Sequence, residues 1–122
     1  MILFAVAVVG LAIAATASAS CIPMTAAQQR ARANIIFDGV ALDGATASGI
    51  ERFRVLRYQK GTGPRIVRLR TGRKLFSNGS GTTTSVSIDA ARGEKWRLFA
   101  RRVRPGLFET NVCDGSHRLR RS

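Results

Sequence analysis

The sequence predicts a small, mainly β domain: a barrel of five short strands preceded by one short helix. Three observations support this fold class. The chain has 122 residues, which leaves room for one domain. Five short runs rich in β-branched, apolar and aromatic residues are separated by turn sequences such as Asp43-Gly44 and Pro105-Gly106. Only one segment, near residue 25, has the composition of a helix, and many short strands with few helices are typical of a small barrel.

The helix is predicted to begin after Thr25 and to end near Ala33. Thr25 and Gln28 have the spacing of a capping box, in which each side chain accepts a hydrogen bond from the other residue's backbone N–H. The residues that follow are mostly Ala, Gln and Arg, which are good helix formers. This segment is therefore expected to form about two turns of helix.

The strands are predicted from the alternation of apolar and charged residues. Their expected ranges are 34–42, 50–60, 65–71, 95–103 and 107–113. In the second strand Phe53 and Val55 fall on one face, whereas Arg52 and Arg54 fall on the other. Gly39 lies inside the first strand, where a glycine often marks a bulge or a sharp bend. A loop rich in Gly, Ser and Thr over 77–85 precedes the fourth strand.

Residues 1–19 are predicted to be a secretory signal peptide. An uncharged apolar run ends in the small residues Ala17-Ser18-Ala19, which signal peptidase prefers. The run is too short and too rich in alanine for a comfortable membrane span, although an uncleaved N-terminal anchor is the alternative. We therefore expect an exported protein, periplasmic or extracellular, with no transmembrane span in the mature chain. Its domain would cover residues 20–115, followed by a frayed basic tail over 116–122.

The chain has two cysteines, Cys21 and Cys113, one at each end of the expected domain. Exported proteins tend to pair their cysteines, so one disulfide between them is the favoured arrangement. Two free thiols are the alternative. A lipid anchor on Cys21 is a further alternative, for which Ser20 is small enough but Ser18 is not the larger apolar residue that such an anchor requires.

The expected mature domain is strongly basic. It carries all 20 basic and all 7 acidic residues of the chain, a net charge of +13, and 17 of the basic residues are arginine. Guanidinium groups match phosphate, sulfate and carboxylate groups, so an anionic polymer is a conceivable partner. A genome rich in G and C would also favour Arg over Lys at every position, and that explanation needs no partner.

No sequence motif of an enzyme is present. The single histidine, His117, lies in the basic tail, where we expect it to be solvated. One histidine and two cysteines at opposite ends cannot form a usual zinc site, and the common phosphate-binding and nucleophile motifs are absent. The carboxylates of Asp38, Glu51 and Glu109 are expected to form loose surface pairs with arginines. We therefore expect no catalytic residue, no metal and no cofactor.

The order of several short motifs resembles that of a known group of proteins. After Cys21 and the helix come the sequences IIFDGV, FRVLRYQKG, RIVRLRTG, GEKWRLFA and GLFETNVCDGS. Together they cover the chain from Cys21 to about Ser116. In this order they resemble bacterial exported proteins similar to the N-terminal, netrin-like domain of tissue inhibitors of metalloproteinases.

The resemblance implies a five-stranded antiparallel OB-fold-like barrel, with the N-terminal segment joined to the end of the last strand. In such a barrel Gly39 would bend the first strand so that it can curl around the core. The interior would be filled by Trp96, Phe53, Val55, Phe37, Val67 and Leu98.

The resemblance does not extend to the inhibitory N-terminus. The animal inhibitors begin with C-x-C and chelate the zinc of the protease through the amino group and carbonyl of the first cysteine. Here Cys21 stands alone, and cleavage after Ala19 would leave Ser20 as the first residue. The loop over 77–85 also lacks the cysteine that relatives often have there. One of the two usual disulfides is therefore missing, and zinc chelation is not expected.

Three functions remain as hypotheses. The first is an exported, monomeric, non-catalytic binding module whose ligand is an unknown protein or an anionic component of the cell envelope. The second is a binder of anionic polymer, namely nucleic acid, acidic polysaccharide or lipid headgroups. The third is inhibition of a metalloprotease, which rests on the resemblance alone.

The second hypothesis names candidate anion-binding residues. We predict that they project from one barrel surface, and they are Arg52, Arg54, Arg68, Arg70, Arg97 and Arg101. Proteins that bind single-stranded nucleic acid place aromatic side chains between such charges. Only Phe99 and Tyr58 are expected to face outward here, so binding to nucleic acid would be unspecific.

Overall fold

The structure is a computed structural model that describes residues 21–75, 81–82 and 87–120. The predicted signal peptide, residues 1–19, lies outside the described residues, as does most of the predicted loop over 77–85. Within the described ranges no helix is long and apolar enough to cross a membrane.

The described residues form one short helix, α1 (Ala26–Arg32), and eight strands. The strands are β1 (Ile35–Ala41), β2 (Ile50–Lys60), β3 (Ile66–Arg70), β4 (Lys74–Leu75), β5 (Gly81–Thr82), β6 (Lys95–Arg104), β7 (Leu107–Glu109) and β8 (His117–Arg118). Five of them pair in the order β1-β2-β3-β7-β6, and β6 pairs again with β1. The predicted mainly β architecture, a closed barrel of five strands with one short helix, is confirmed.

The prediction that all barrel strands run antiparallel is wrong for one pair. β3 and β7 are parallel, with Leu69 beside Phe108 and Arg70 beside Glu109. The other four barrel pairs are antiparallel. The reason is geometric, because a closed ring with an odd number of strands cannot reverse direction at every pair.

The N-terminal helix begins as predicted. The backbone N–H of Gln28 donates to Oγ1 of Thr25 over 3.1 Å, and the N–H of Thr25 donates to Oε1 of Gln28 over 2.8 Å, which completes the capping box. After the helix, Ala33 packs with Ile36 and Phe99 in a small apolar cluster outside the main core. Phe99, predicted to face outward, is therefore buried beside the end of the helix.

Bulges in β2 allow β1 to curl around the core. The pairing of β1 with β2 shifts by one residue between Ile36 and Phe37, and again between Asp38 and Gly39. A Cβ atom on Gly39 would lie 2.9 Å from Cε2 of Phe37 and 3.1 Å from the carbonyl oxygen of Arg54. The position is therefore too close-packed for a larger residue, and the bulge beside it lies in β2, opposite the step from Asp38 to Gly39.

The core contains the residues predicted to fill the barrel. Phe37, Phe53, Val67, Trp96 and Leu98 are buried in one cluster, and Val55 packs against it. Ile88 and Ala90, which precede β6, belong to the same cluster. The alternation of apolar and charged residues therefore identified the inward faces of β2, β3 and β6 correctly.

Two of the carboxylates expected at the surface are buried, namely Asp38, which is 7% exposed, and Glu51, which faces the interior. Glu51 is fully buried on β2, opposite Leu69 of β3. Its Oε2 accepts hydrogen bonds from Thr71 Oγ1 at 2.5 Å and from Arg73 Nε at 2.9 Å, and Arg73 Nη2 donates to its Oε1 at 3.0 Å. The side-chain hydrogen bond with Glu51 is the main reason that the pKa of Arg73 is raised. Glu51 is thus part of a buried ion pair, since an inward carboxylate needs such partners.

The C-terminal region also differs from prediction. The fifth strand was expected to reach residue 113, but β7 ends at Glu109 and a 3-10 helix, Val112–Asp114, follows. Two residues of the segment expected to fray form β8, which pairs with β6, with His117 opposite Arg97 and Arg118 opposite Trp96. Backbone pairing with a neighbouring strand, not charge, decides the conformation of this basic segment.

Candidate anion-binding surface

The two cysteines are joined as predicted. The disulfide between Cys21 and Cys113 brings their Cα atoms to 5.3 Å across a sequence separation of 92 residues. Cys113 lies in the 3-10 helix, where its backbone N–H donates to Oδ1 of Asn111. The side chain of Gln29, on α1, donates to the carbonyl oxygen of Cys113 over 3.4 Å. The disulfide and this hydrogen bond hold the N-terminal segment against the end of the barrel.

Each of the seven acidic side chains forms an ion pair with an arginine. The seven acidic residues are Asp38, Asp43, Glu51, Asp89, Glu94, Glu109 and Asp114. The arginines that pair with them are Arg52, Arg57, Arg73, Arg97, Arg101 and Arg118. The excess positive charge therefore belongs to the other basic residues, and their positions decide where an anion can bind.

Arg97, one of the predicted anion-binding residues, is bound to Asp38. Its Nε and Nη2 donate to the two carboxylate oxygens of Asp38 at 2.7 and 3.0 Å. Arg57 and Gln59 donate to the same carboxylate at 3.4 and 3.2 Å. The hydrogen bond from Arg97 is the main reason that the pKa of Asp38 lies below its ordinary value. Arg97 is therefore neutralised in place.

Arg101 is also engaged within the fold. Its Nη1 donates to Glu109 at 2.9 Å and its Nη2 to Asp114 at 3.0 Å, so one guanidinium joins β6 to β7 and to the 3-10 helix. Its Nε is buried and has no hydrogen-bond partner among the described residues. The structure therefore separates Arg97 and Arg101 from the other four predicted residues.

The remaining four arginines lie together on the outer side of β2 and β3. We call this group the arginine face, and it consists of Arg52, Arg54, Arg68 and Arg70, all of which are exposed. Arg52 is directly opposite Arg68 in the antiparallel pair, Arg54 is opposite Ile66, and Arg70 is opposite Ile50. Cross-strand neighbours on one face lie about 5 Å apart, so the guanidinium groups share one patch of surface.

A single carboxylate offsets this charge. Asp43, in the turn after β1, accepts hydrogen bonds from Nε and Nη2 of Arg52 at 3.1 and 3.0 Å and from its backbone N–H at 2.9 Å. The side-chain contact with Arg52 lowers the pKa of Asp43. In the described part of the chain, Arg54, Arg68 and Arg70 form no ion pair. Four positive charges therefore face one negative charge on this patch.

Comparisons with protein-family models, characterised sequences and solved structures found no match.

The aromatic residues that could stack on a nucleic-acid base are not on the arginine face. Phe99 is buried beside Ala33 and Ile36. Tyr58 packs against Phe37 with ring centroids 5.9 Å apart, and its hydroxyl donates to the carbonyl oxygen of Pro64 at 2.6 Å. The apolar side chains beside the arginines are Ile50 and Ile66.

Among the described residues, the titratable groups do not gather into a metal-binding set. Within residues 21–75, 81–82 and 87–120, no group of three or more His, Cys, Asp or Glu side chains is placed to hold a metal ion. His117 is exposed, and its Nδ1 lies 2.8 Å from the carbonyl oxygen of Gly115.

A second group of basic residues was not predicted from the sequence. Arg118 and Arg120, in the segment expected to fray, lie beside Arg92 and Lys95 around a cavity. The only signal in the sequence was the high arginine content of the last residues. The pairing of β8 with β6 joins residues about twenty positions apart, which no local pattern reveals.

Proposed function

We propose that this chain is an exported, non-catalytic binding module that holds an anionic polymer against the arginine face. The observation that carries the proposal is the distribution of charge. All seven carboxylates are paired with arginines, yet Arg54, Arg68 and Arg70 stand together without one. Like charges on neighbouring strands destabilise a sheet, and a bound polyanion would remove that cost.

We further propose that the barrel is of the OB-fold type. The strand order supports the assignment, because the third and fifth barrel strands, β3 and β7, lie side by side and the fourth, β6, returns to β1. Barrels of this class bind oligonucleotides and oligosaccharides on the face of their second and third strands. The arginine face occupies the same two strands.

The chemistry of the face favours an acidic polysaccharide over nucleic acid. Single-stranded nucleic acids are held by stacking of bases on aromatic rings as well as by charge. Here the patch offers guanidinium groups, Ile50 and Ile66, but no aromatic ring among the described residues. Guanidinium groups form paired hydrogen bonds with sulfate, phosphate and carboxylate oxygens, which suits a sugar polymer that carries such groups.

Export of the protein is supported by the cysteine pair. Disulfides persist in oxidising compartments and are rare in the reducing cytosol. A disulfide that joins the two ends of a domain is typical of small exported proteins. The hydrophobic core of so small a domain contributes limited stability by itself.

Binding measured against salt concentration tests the proposal. We expect the protein to bind heparin, a sulfated polysaccharide, with an affinity that survives at about 0.15 M salt, where charge interactions across the open surface are screened. The variant R54A/R68A should bind at least about tenfold more weakly and show a shallower dependence on salt, because each lost phosphate or sulfate contact removes nearly one unit of slope.

The matched control is R30A/R32A. It removes the same charge from exposed positions on α1, which contacts β2 at Lys60, at the opposite end of that strand from Arg52 and Arg54. If both double variants lose affinity equally, only net charge is being measured and the proposal is wrong. A single-stranded oligonucleotide of the same charge serves as the second probe, and tighter binding to it than to heparin would contradict the preference for polysaccharide.

A second candidate function is contact with a protein at the disulfide. Ile22 is 84% exposed and Val112 is 40% exposed, and each is next to one of the bonded cysteines. Exposed apolar residues gathered at a rigid point are typical of protein interfaces. Titration of a metalloprotease with the mature protein tests the inhibitor that the family resemblance implies. Inhibition at a 1:1 ratio in roughly micromolar solution, lost in I22R, would support it.

A further inference from the structure

A cavity of about 560 Å³ opens at the start of β6, between the turn before that strand and the C-terminal segment. Its volume falls in the range of small-molecule sites. Four cationic side chains line it, namely Arg92, Lys95, Arg118 and Arg120. Glu94 is the one carboxylate in its wall.

Backbone hydrogen bonds hold both walls of the cavity. In the turn, the N–H of Glu94 donates to the carbonyl of Ala91 at 3.0 Å, and the N–H of Gly93 donates to the carbonyl of Ala41 at 2.8 Å. On the other side, the N–H of Leu119 donates to the carbonyl of Lys95 at 2.8 Å. The side chains therefore project from backbone that is anchored to the barrel, which reduces the entropy lost on binding a ligand.

Glu94 is fully engaged within the wall. Its Oε1 accepts from the backbone N–H of Ala91 at 2.8 Å and from the indole Nε1 of Trp96 at 3.2 Å. Its Oε2 lies 3.2 Å from Nε of Arg118. The hydrogen bond from Ala91 is the main reason that the pKa of Glu94 is lowered, and the contacts with Trp96 and Arg118 lower it further. The carboxylate therefore stays ionised and is neutralised by Arg118.

The other three cations are left for a ligand. Arg92, Lys95 and Arg120 form no ion pair within residues 21–75, 81–82 and 87–120. They come from the turn, from β6 and from the C-terminal segment, and they border one concave space. A concave surface lined by charges of one sign concentrates the field and attracts a counter-ion of high charge density.

We propose that this cavity binds a phosphate group, either free inorganic phosphate or the phosphate of a small monoester. Two guanidinium groups supply paired N–H donors whose geometry matches phosphate oxygens, and the ammonium group of Lys95 adds a point charge. A dianion would balance most of the unpaired charge of the three side chains. No residue of the arginine face lines this cavity, so the proposal does not rest on the proposed function. The two groups are neighbours, because Arg92 helps to lower the pKa of Asp43, the partner of Arg52.

Isothermal titration of the mature protein with inorganic phosphate at about 0.15 M salt tests the proposal. We expect saturable binding to one site. The variant R92A/R120A should weaken binding by at least about tenfold, because each guanidinium contributes charge-assisted hydrogen bonds. K95Q removes the charge and leaves a slightly shorter polar side chain, and it should weaken binding by a smaller factor. Arg118 stays unchanged in both variants because it neutralises Glu94.

The matched control is R54A/R68A, which alters the arginine face and should leave phosphate affinity unchanged. Conversely, R92A/R120A should retain heparin binding, so failure of one proposal is distinguishable from failure of the other. Tighter binding of glycerol 3-phosphate would indicate that the phosphate is carried by an organic group, and equal or weaker binding would indicate the free ion. No saturable heat with the wild-type protein, or equal binding by R92A/R120A, would overturn the proposal.

Discussion

The hydroxyl group of Ser116 lies 2.6 Å from that of Thr110. These two side chains make the hydrogen bonds to the backbone of Phe99 that a neighbouring strand would otherwise make. β7 pairs with β6 only from Arg101 onward, and β8 pairs only at Trp96 and Arg97. In the gap, Ser116 Oγ accepts from the N–H of Phe99 at 2.9 Å, and Thr110 Oγ1 donates to its carbonyl at 2.7 Å. Because the single hydroxyl proton of Thr110 goes to Phe99, Ser116 donates to Thr110.

We expect T110V to lower the free energy of unfolding by about 1–3 kcal/mol. Valine keeps the shape of threonine but leaves the buried carbonyl of Phe99 and the hydroxyl of Ser116 without their partner. Urea denaturation followed by tryptophan fluorescence measures the change. The matched control is T62V in an exposed turn, which should stay close to wild type. If T110V behaves like T62V, the hydroxyl pair does not stabilise the barrel.

The buried ion pair of Glu51 with Arg73 leads to a second prediction. E51A should lower the free energy of unfolding by about 3–5 kcal/mol, because it leaves the guanidinium of Arg73 buried without its bidentate partner. Arg73 also pairs with Asp89, whose side chain is 90% exposed. D89A should therefore change the stability by less than about 1 kcal/mol. Equal effects of E51A and D89A in denaturation experiments would contradict this assignment.

The disulfide gives a third prediction. Joining Cys21 to Cys113 closes a loop with a sequence separation of 92 residues, and the chain-entropy estimate of the stabilisation is about 4–5 kcal/mol. The variant C21S/C113S should lose this amount. Denaturation of the wild-type protein with reductant should give the same midpoint as the double variant without it. An unchanged midpoint on reduction would show that the bond does not stabilise the fold.

The pKa of Asp38 gives a prediction for acid. Its folded-state pKa lies below the ordinary value of 3.8, mainly because Arg97 donates to it. The stability that the pair contributes is therefore fully present above the unfolded-state pKa and is lost as the pH falls through the folded-state value. Unfolding free energy should be level near pH 7 and should decline below about pH 5. D38N should be less stable at neutral pH, with a shallower decline in acid, and a decline as steep as in the wild type would contradict the assignment.

Most of the local structure follows from local sequence. The capping box of Thr25 and Gln28 determines where α1 begins, and alternation over 50–60 predicts both the bounds of β2 and its inward face. These features depend on residues a few positions apart, so their physical causes are contained in the segment itself. The two cysteines predict their own pairing because the chain offers no other thiol.

Local sequence did not predict which arginine side chains form ion pairs with carboxylates. Six arginines fell on outward positions of predicted strands, and all six looked alike in sequence. Asp38 binds Arg97, which is 59 positions away in the sequence, and Arg101 on β6 binds Asp114 in the 3-10 helix after β7. By contrast, Arg54, Arg68 and Arg70 form no ion pair among the described residues. Which arginine is neutralised depends on strand register, and register is set by the whole barrel.

By itself, then, the sequence determined the helix, the long strands, the inward apolar residues of β2, β3 and β6 and the disulfide, because hydrophobic periodicity, capping and cysteine number act locally or leave one choice. Only the tertiary structure decided the parallel pair of β3 and β7, the burial of Glu51 and the pairing of β8 with β6. Closing a ring of five strands forces one parallel pair, and it also brings distant charges within hydrogen-bonding distance. Among the described basic residues left exposed without an ion pair after that closure, Arg54, Arg68 and Arg70 lie together on the arginine face, and Arg92, Lys95 and Arg120 border the basic cavity.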